Sequence, residues 1–417
     1  MGGAAGHMRH PFDLERVQSG NDFLKLFDDI KLYLKTPEQS VNVKIDGINV
    51  SFKLVKNEFA VDRGSLKEID VSGITADRIA ERFPEGHGMR GAIDKLLTIF
   101  NEAYPHITHE LNALGLTQNP HFFLNTEYVT GAINATSYQG DFIAIHGVNA
   151  YYEKYKKIAK SKGGGQILIR SGMPRSENLP TAVKSAEVPY PADAMSSLIR
   201  KVSPIADKHG FKLYGPVPAE PKQGSEIDYT GSLNTPFEVN VTDEYSDNLG
   251  QFEHLQGRPI KDWLSEIETL PARYMGSDYD IKYKTTAGNS INPFHKNTYL
   301  RILSKQEPVD SFIEPENVRQ VINGAVLMHA TRLLGNDILR TLTSEAMGDL
   351  IGKDVKHEGV VLRHPQFSQH PFKITGEFIV AGMEGAIAQK MGNETVQITE
   401  SRLKVMIAET IRKLLRY

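Results

Sequence analysis

Lys44 and Asp46 stand two apart in Val43-Lys44-Ile45-Asp46-Gly47-Ile48-Asn49-Val50-Ser51-Phe52. That spacing puts both side chains on one side of an extended strand, which turns at Gly47 and resumes a Val/Phe alternation. A strand end of this kind presents an amine to a phosphate. Lysine is a poor nucleophile while protonated, so such a site must favour the neutral amine by desolvation or by nearby cations. Asp62-Arg63-Gly64-Ser65 follows and offers one such cation. Far downstream, His357-Glu358-Gly359-Val360-Val361-Leu362-Arg363 and Phe372-Lys373-Ile374-Thr375 read as two further strands carrying charge toward a shared pocket.

The elements that must position these residues show in the hydrophobic periodicity. Residues 12–34 carry Phe23, Leu24, Leu26, Phe27 and Ile30 as a helical stripe ended by Pro37. From 41 to 61 the period changes to two, with Lys56-Asn57 as a hairpin turn. Helical segments are expected at 76–83 and 92–103, strands at 122–129 and 142–148, and a helix at 192–209. Gly163-Gly164-Gly165 reads as a loop, 216–235 is rich in Pro, Gly and acidic residues, and 315–350 holds one or two helices. Tyr151-Tyr152-Glu153-Lys154-Tyr155-Lys156-Lys157 is either a basic-aromatic patch for nucleic acid or a solvated amphipathic helix. In 396–417, Leu403, Ile407, Ile411 and Leu414 recur at helical spacing, while Arg402, Lys404, Arg412, Lys413 and Arg416 line other faces. This is a helix packed on the body, or a basic helix contributing to nucleic-acid contact.

A lone Lys-x-Asp-Gly is weak, and order and context strengthen it. Lys44-Ile45-Asp46-Gly47, Asp62-Arg63-Gly64-Ser65, Leu124-Asn125-Thr126-Glu127, Glu358-Gly359-Val360-Val361 with Arg363, and Phe372-Lys373 come in sequence. Together they resemble the ordered motifs of the covalent nucleotidyltransferase superfamily, which contains the ATP-dependent DNA and RNA ligases and the mRNA capping enzymes. The resemblance implies an α+β fold, an antiparallel-sheet nucleotidyltransferase core of ATP-grasp-like ligase type with helical insertions. It implies that Lys44 attacks the α-phosphorus of ATP, expelling pyrophosphate and leaving a lysyl-AMP. Arg63 resembles the arginine that grips phosphate or sugar beside the nucleophile, with Gly47, Gly64 and Ser65 shaping the turns and Ser65 adding a small donor. Glu127 resembles the acidic residue on the ribose hydroxyls. Glu358 resembles the carboxylate for Mg2+ or Mn2+, which a highly charged phosphoryl transition state requires. Lys373 resembles the lysine that approaches the α-phosphate, and Asp46 is a candidate to hold a metal or an arginine.

This chain departs from the family pattern in three places. The last motif usually carries two lysines separated by one residue; here the pair is Lys373 and Thr375, and Arg363 is the candidate substitute. For the ring that stacks on the purine, Phe142 is preferred and His146 is second. The interval between His146 and His357 is longer than the family core needs. The expected organisation is an expression-tag scar over 1–8 and the first part of the nucleotidyltransferase domain over 9–149. An inserted, mainly helical region over 150–350, the closing strands over 351–380 and a helical tail over 381–417 would follow. The helical tail leaves no evident OB domain, which argues against a conventional DNA ligase or capping enzyme and for an RNA ligase.

Composition sets further bounds. The 417 residues include 48 basic and 51 acidic ones, a formal net charge of −3, so a polynucleotide partner would need a local basic groove rather than a basic chain. There is no cysteine, which excludes disulfides, thiolate catalysis and cysteine-ligated zinc. His87, His106, His109 and His121 lack zinc-ligand spacing, Ser65 lacks a hydrolase context, and Trp263 reads as core. No apolar run approaches about eighteen residues, so no membrane partner is expected, and a cytoplasmic location, in the host if the chain is viral, follows. The expected partner is a polynucleotide with 5′-phosphate and 3′-hydroxyl ends, RNA favoured over DNA. The alternatives are another covalent nucleotidyltransferase using GTP, or a catalytically decayed nucleic-acid-binding or structural protein of the same fold.

Overall fold

The computed structural model describes residues 8–36, 40–62, 73–87, 89–130, 138, 140–160, 167–170, 178–242, 250–271, 283–345, 348, 358–368 and 370–376. Arg63, Gly64, Ser65, His357, the triple-glycine loop and the expected tail helix lie outside them. The chain divides into two compact units. Unit 1 comprises Met1–His10, Glu38–Gln223 and Leu342–Lys373; unit 2 comprises Pro11–Pro37, Gly224–Thr341 and Ile374–Tyr417.

The strands, in chain order, are β1 (Val41–Lys44), β2 (Ile48–Val55), β3 (Glu58–Asp62), β4 (Phe122–Val129), β5 (Phe142–Lys160), β6 (Ile167–Arg170), β7 (Asn178–Glu187), β8 (Lys212–Tyr214), β9 (Glu220–Pro221), β10 (Leu342–Thr343), β11 (Gly359–Leu362) and β12 (Phe372–Thr375). Unit 1 is mixed α+β. A small sheet runs β1, β11, β12, and a large one runs β3, β2, β4, β5, with β6 and β7 antiparallel and β8 parallel to successive parts of β5. Among the described residues neither sheet closes into a barrel. The expected hairpin forms: Val55 faces Glu58, and Lys56 and Asn57 take φ of 48° and 69°, the left-handed pair that matches strand twist.

Alternation sorts the large sheet into two faces. Ile48, Val50 and Phe52 on β2, Leu124 and Tyr128 on β4, and Ile143, Ile145 and Val148 on β5 join one apolar core with Ile93, Leu96, Phe100 and Ile107 of the helix Arg90–Ala113 and Leu198 and Val202 of the helix Ala192–Lys208. The opposite face carries Asn49, Ser51, Lys53, Asn125 and Glu127. The small sheet has covered edges. Val43 N–H donates to the Val217 carbonyl, Ala219 N–H to that of Val41, and Lys373 N–H to that of Arg9. These bonds satisfy backbone groups that would otherwise invite another strand.

Unit 2 is helical among its described residues up to Thr341. Its longest helix, Val318–Arg340, is buried along most of its length. The helix Gly20–Tyr33 begins with a capping box in which Asp22 N–H donates to the Ser19 hydroxyl and Ser19 N–H to the Asp22 carboxylate. Trp263, expected in the core, is buried in the helix Ile260–Ser265 and stacked on Phe252.

The expected boundaries are corrected on two counts. Residues 150–350 do not form one mainly helical insertion, because β5 continues through 160, β7 pairs back along it, and 192–223 belong to unit 1. The stretch 151–157 is therefore strand rather than helix. The N-terminal helix belongs to unit 2 with 224–341 rather than to unit 1 with 38–149. Its Gly20 approaches the Leu264 carbonyl so closely that a Cβ would have no room.

Candidate functional site

β1 and β11 run antiparallel with Lys44 opposite Gly359, so Glu358 enters the sheet beside the end of β1. The Lys44 ammonium forms an ion pair with the Glu358 carboxylate, and the two side chains are 20% and 14% exposed. Burial pushes the Glu358 carboxyl above the usual carboxylate range, Lys44 opposes this, Asp46 adds to the rise and Lys373 counters it. Lys44, Asp46 and Lys373 thus all lie within electrostatic reach of Glu358. Lys373 sits on β12 between fully buried Phe372 and Ile374, so alternation turns it to the other side. Thr375 shares that side. In unit 2 its carbonyl oxygen lies where a Cβ on Gly335 would come within 2.5 Å.

Gly47 carries the chain from Lys44 toward the large sheet. A Cβ there would lie 2.9 Å from Glu127 Cγ and 2.7 Å from the Tyr128 carbonyl oxygen, so only glycine fits without movement. Glu127 is thereby packed beside the lysine-bearing turn. Asn49, opposite Glu127 in the β2/β4 register, donates through Nδ2 to the Glu127 carboxylate at 3.3 Å and to Asn125 Oδ1 at 2.7 Å. His146 approaches the same carboxylate, Nε2 to Oε2 3.6 Å. A β-bulge brings it there: Asn125 pairs with Gly147 and Thr126 with Ile145, leaving His146 as the extra residue, and Gly147 takes φ +149°.

Two expected ligand-binding residues are engaged otherwise. The Phe142 ring is fully buried, edge-on to both Tyr138 and Tyr214. It is core packing, and the purine-stacking role expected of it is corrected on that ground. Arg363, expected to substitute for the missing lysine, grips Glu187 in bidentate fashion, Nε to Oε2 2.8 Å and Nη2 to Oε1 2.7 Å, and donates through Nη1 to Asn42 at 2.7 Å. The described geometry gives it a protein carboxylate as partner. Arg63 and Ser65 lie outside the described residues. Of the expected site residues, Lys44, Asp46, Gly47, Glu127, Glu358 and Lys373 are brought into one neighbourhood of unit 1.

Sequence reasoning missed three contributors, Asn49, Tyr138 and Glu187. Asn49 was within reach of it, since it lies one position from Ile48 on the side opposite the core. Tyr138, whose hydroxyl accepts the Asp46 N–H at 2.9 Å, and Glu187 carry no local signal.

Among the described residues no group of three or more acidic or histidine side chains forms a cage for a metal. Glu358, with Asp46 nearby, is the pair of carboxylates that could hold a divalent ion here. Among the described residues no helix is long and apolar enough to cross a membrane. Scans of the sequence against models of protein families, against curated proteins and against solved structures find no match.

Proposed function

We propose that unit 1 is a covalent nucleotidyltransferase core and that the chain is an ATP-dependent polynucleotide ligase, with RNA as the favoured strand. The observation that carries this reading is the meeting of Lys44 with Glu358, beside Asp46 and Lys373, although the motifs that hold them stand at opposite ends of the chain. The ordered motif resemblance supports it independently.

In this reading Glu358 holds the Lys44 side chain in the resting protein. Lys373 adds a positive charge beside Glu358 that can meet the α-phosphate. After one proton leaves Lys44 to water, the neutral Nζ attacks the α-phosphorus, the P–N bond forms, the bond to pyrophosphate breaks, and a second proton leaves the nitrogen to water. Magnesium bound with the triphosphate would be held by Glu358 and Asp46 and would neutralise phosphate charge. Glu127, steadied by Asn49, accepts hydroxyl hydrogens of the ribose. His146, rather than Phe142, is the ring beside Glu127 and takes the purine. The adenylate then passes to a 5′-phosphate, and a 3′-hydroxyl displaces AMP to close the phosphodiester.

Incubation with α-labelled ATP and Mg2+ should leave acid-labile label on the denatured chain, and Lys44→Ala should carry none. Equal labelling of wild type and variant would overturn the assignment. Labelling by α-labelled GTP in place of ATP would redirect it to guanylyl transfer. Transfer to 5′-phosphorylated RNA against DNA decides the strand. Thr375 in place of a second lysine favours one other reading, a catalytically silent relative that binds nucleic acid. That reading predicts binding without adduct for every nucleotide.

A further inference from the structure

The residue after a strand-end nucleophile is free to wander unless something holds it. Here the short connection from Lys44 to β2 is held at three points. Ile45 is buried, Gly47 is wedged against the Tyr128 carbonyl, and the Asp46 N–H donates to the Tyr138 hydroxyl at 2.9 Å. Tyr138 is itself fixed. It is 7% exposed, its ring meets Phe142 edge-on with centroids 5.1 Å apart, and Phe142 is backed by Tyr214 of β8 at 5.6 Å. A column of three aromatic rings thus ends in one hydroxyl aimed at the backbone two residues past Lys44.

The geometry points to Tyr138 as a positioning residue for Lys44, acting through the Asp46 backbone, with Phe142 and Tyr214 as its buttress. This rests on the reading of Lys44 as the nucleophile. The physical argument is preorganisation. The lysine amine sits at the end of a long flexible side chain, and in-line attack needs its Cα path settled before the phosphate arrives. Ile45 and Asp46 lie between β1 and β2, and there the Tyr138 hydroxyl accepts the Asp46 N–H. A side-chain acceptor thus satisfies a backbone donor of the turn itself. The arrangement also gives Phe142 a task that its burial allows and that stacking on a purine does not.

Tyr138→Phe keeps the ring column and removes only the hydroxyl, so folding should survive. At saturating ATP the first-order rate of label transfer to Lys44 should fall about tenfold, which is the effect expected for loss of one hydrogen bond to a half-buried donor. The ATP concentration at half-maximal rate should stay within about twofold, because Tyr138 is not assigned a nucleotide contact. Hydrogen exchange at the Asp46 amide should quicken by at least about tenfold. A variant that labels as fast as wild type, or whose loss lies wholly in the half-saturating ATP concentration, overturns the positioning role. So does an unchanged Asp46 exchange rate. If the wild-type chain takes no label at all, the ligase reading fails and this role fails with it. A labelled wild type beside an equally fast Tyr138→Phe sinks the role alone.

Discussion

Gly47 and Tyr128 fix where the lysine-bearing turn meets the large sheet. A side chain on residue 47 would place its first carbon 2.7 Å from the Tyr128 carbonyl oxygen, 2.8 Å from Val129 Cγ2 and 2.9 Å from Glu127 Cγ. Two of these obstacles are side chains, but the carbonyl belongs to a strand paired on both sides and cannot withdraw cheaply.

Gly47→Ala should therefore destabilise the chain by about 1–3 kcal/mol, the range for overpacking a filled site. It should also weaken ATP labelling of Lys44, because the strand shift that relieves the clash carries Glu127 with it. Urea unfolding and label transfer measured on the same preparation check both. A fully stable, fully active Gly47→Ala would show that the turn has slack.

Glu358 yields a pH prediction whose sign follows from the direction of its shift. Burial raises its folded-state carboxyl above the unfolded value, so between the two the folded chain binds more protons. The contribution of this group to stability is complete below its unfolded value of 4.5 and is lost as pH rises through the folded one. Glu358→Gln removes that dependence. The melting temperature of the variant minus that of wild type should be more positive at pH 8 than at pH 4, by a few degrees. ATP labelling should be lost at both. A difference that is flat across pH, or runs the other way, would show that Lys44 wholly offsets the cost of burying the carboxylate.

In the proposed ligase, His146 serves nucleotide binding and Phe142 packing, and substitutions at the two should separate these roles. His146→Ala should leave melting near wild type while raising the ATP concentration for half-maximal labelling several-fold, about 1 kcal/mol for a lost stacking partner. Phe142→Ala should cost about 3–5 kcal/mol of stability, as for a buried phenylalanine. The opposite pattern would return the purine to Phe142.

Much of this arrangement was readable from residue order, and the part that was not has physical causes. The Lys56-Asn57 turn, β4 and the start of β5 formed where local periodicity and turn chemistry put them, whereas the helix expected over 92–103 runs from Arg90 to Ala113. The β4/β5 register places Phe142 on the same side as Glu127. What alternation cannot show is that Tyr138 and Tyr214 close over that ring, or that a bulge admits His146. Arg363 looked available because its partner Glu187 lies far away in sequence, on a strand hidden inside a stretch read as helical. The Lys44 and Glu358 encounter was open to motif resemblance but not to pattern, since nothing local to β1 specifies β11 as its neighbour.

The polar face of the large sheet holds one further charged pair whose burial is nearly complete. Lys53 and Asp62 are 1% and 3% exposed, with Nζ 2.9 Å from Oδ2. They lie diagonally across the β2/β3 register, with Ser51 opposite Asp62. The charge of Asp62 adds to burial in raising the Tyr151 phenol far above its usual range. Gly73, at φ +58°, covers the lysine stem so closely that a Cβ would lie 2.6 Å from Lys53 Cε. Two ions taken this far from water attract strongly, but their lost hydration offsets most of the gain. The pair should therefore behave asymmetrically. Lys53→Met removes the charge facing the buried Asp62 carboxylate and should cost about 3–5 kcal/mol, whereas adding Asp62→Leu should recover most of that loss. Urea unfolding of both single variants and the double variant measures the coupling directly. A Lys53→Met that costs less than about 1 kcal/mol would mean that water reaches Asp62. A double variant no better than the singles would mean that Ser51 and Tyr151 need the aspartate as much as the lysine does.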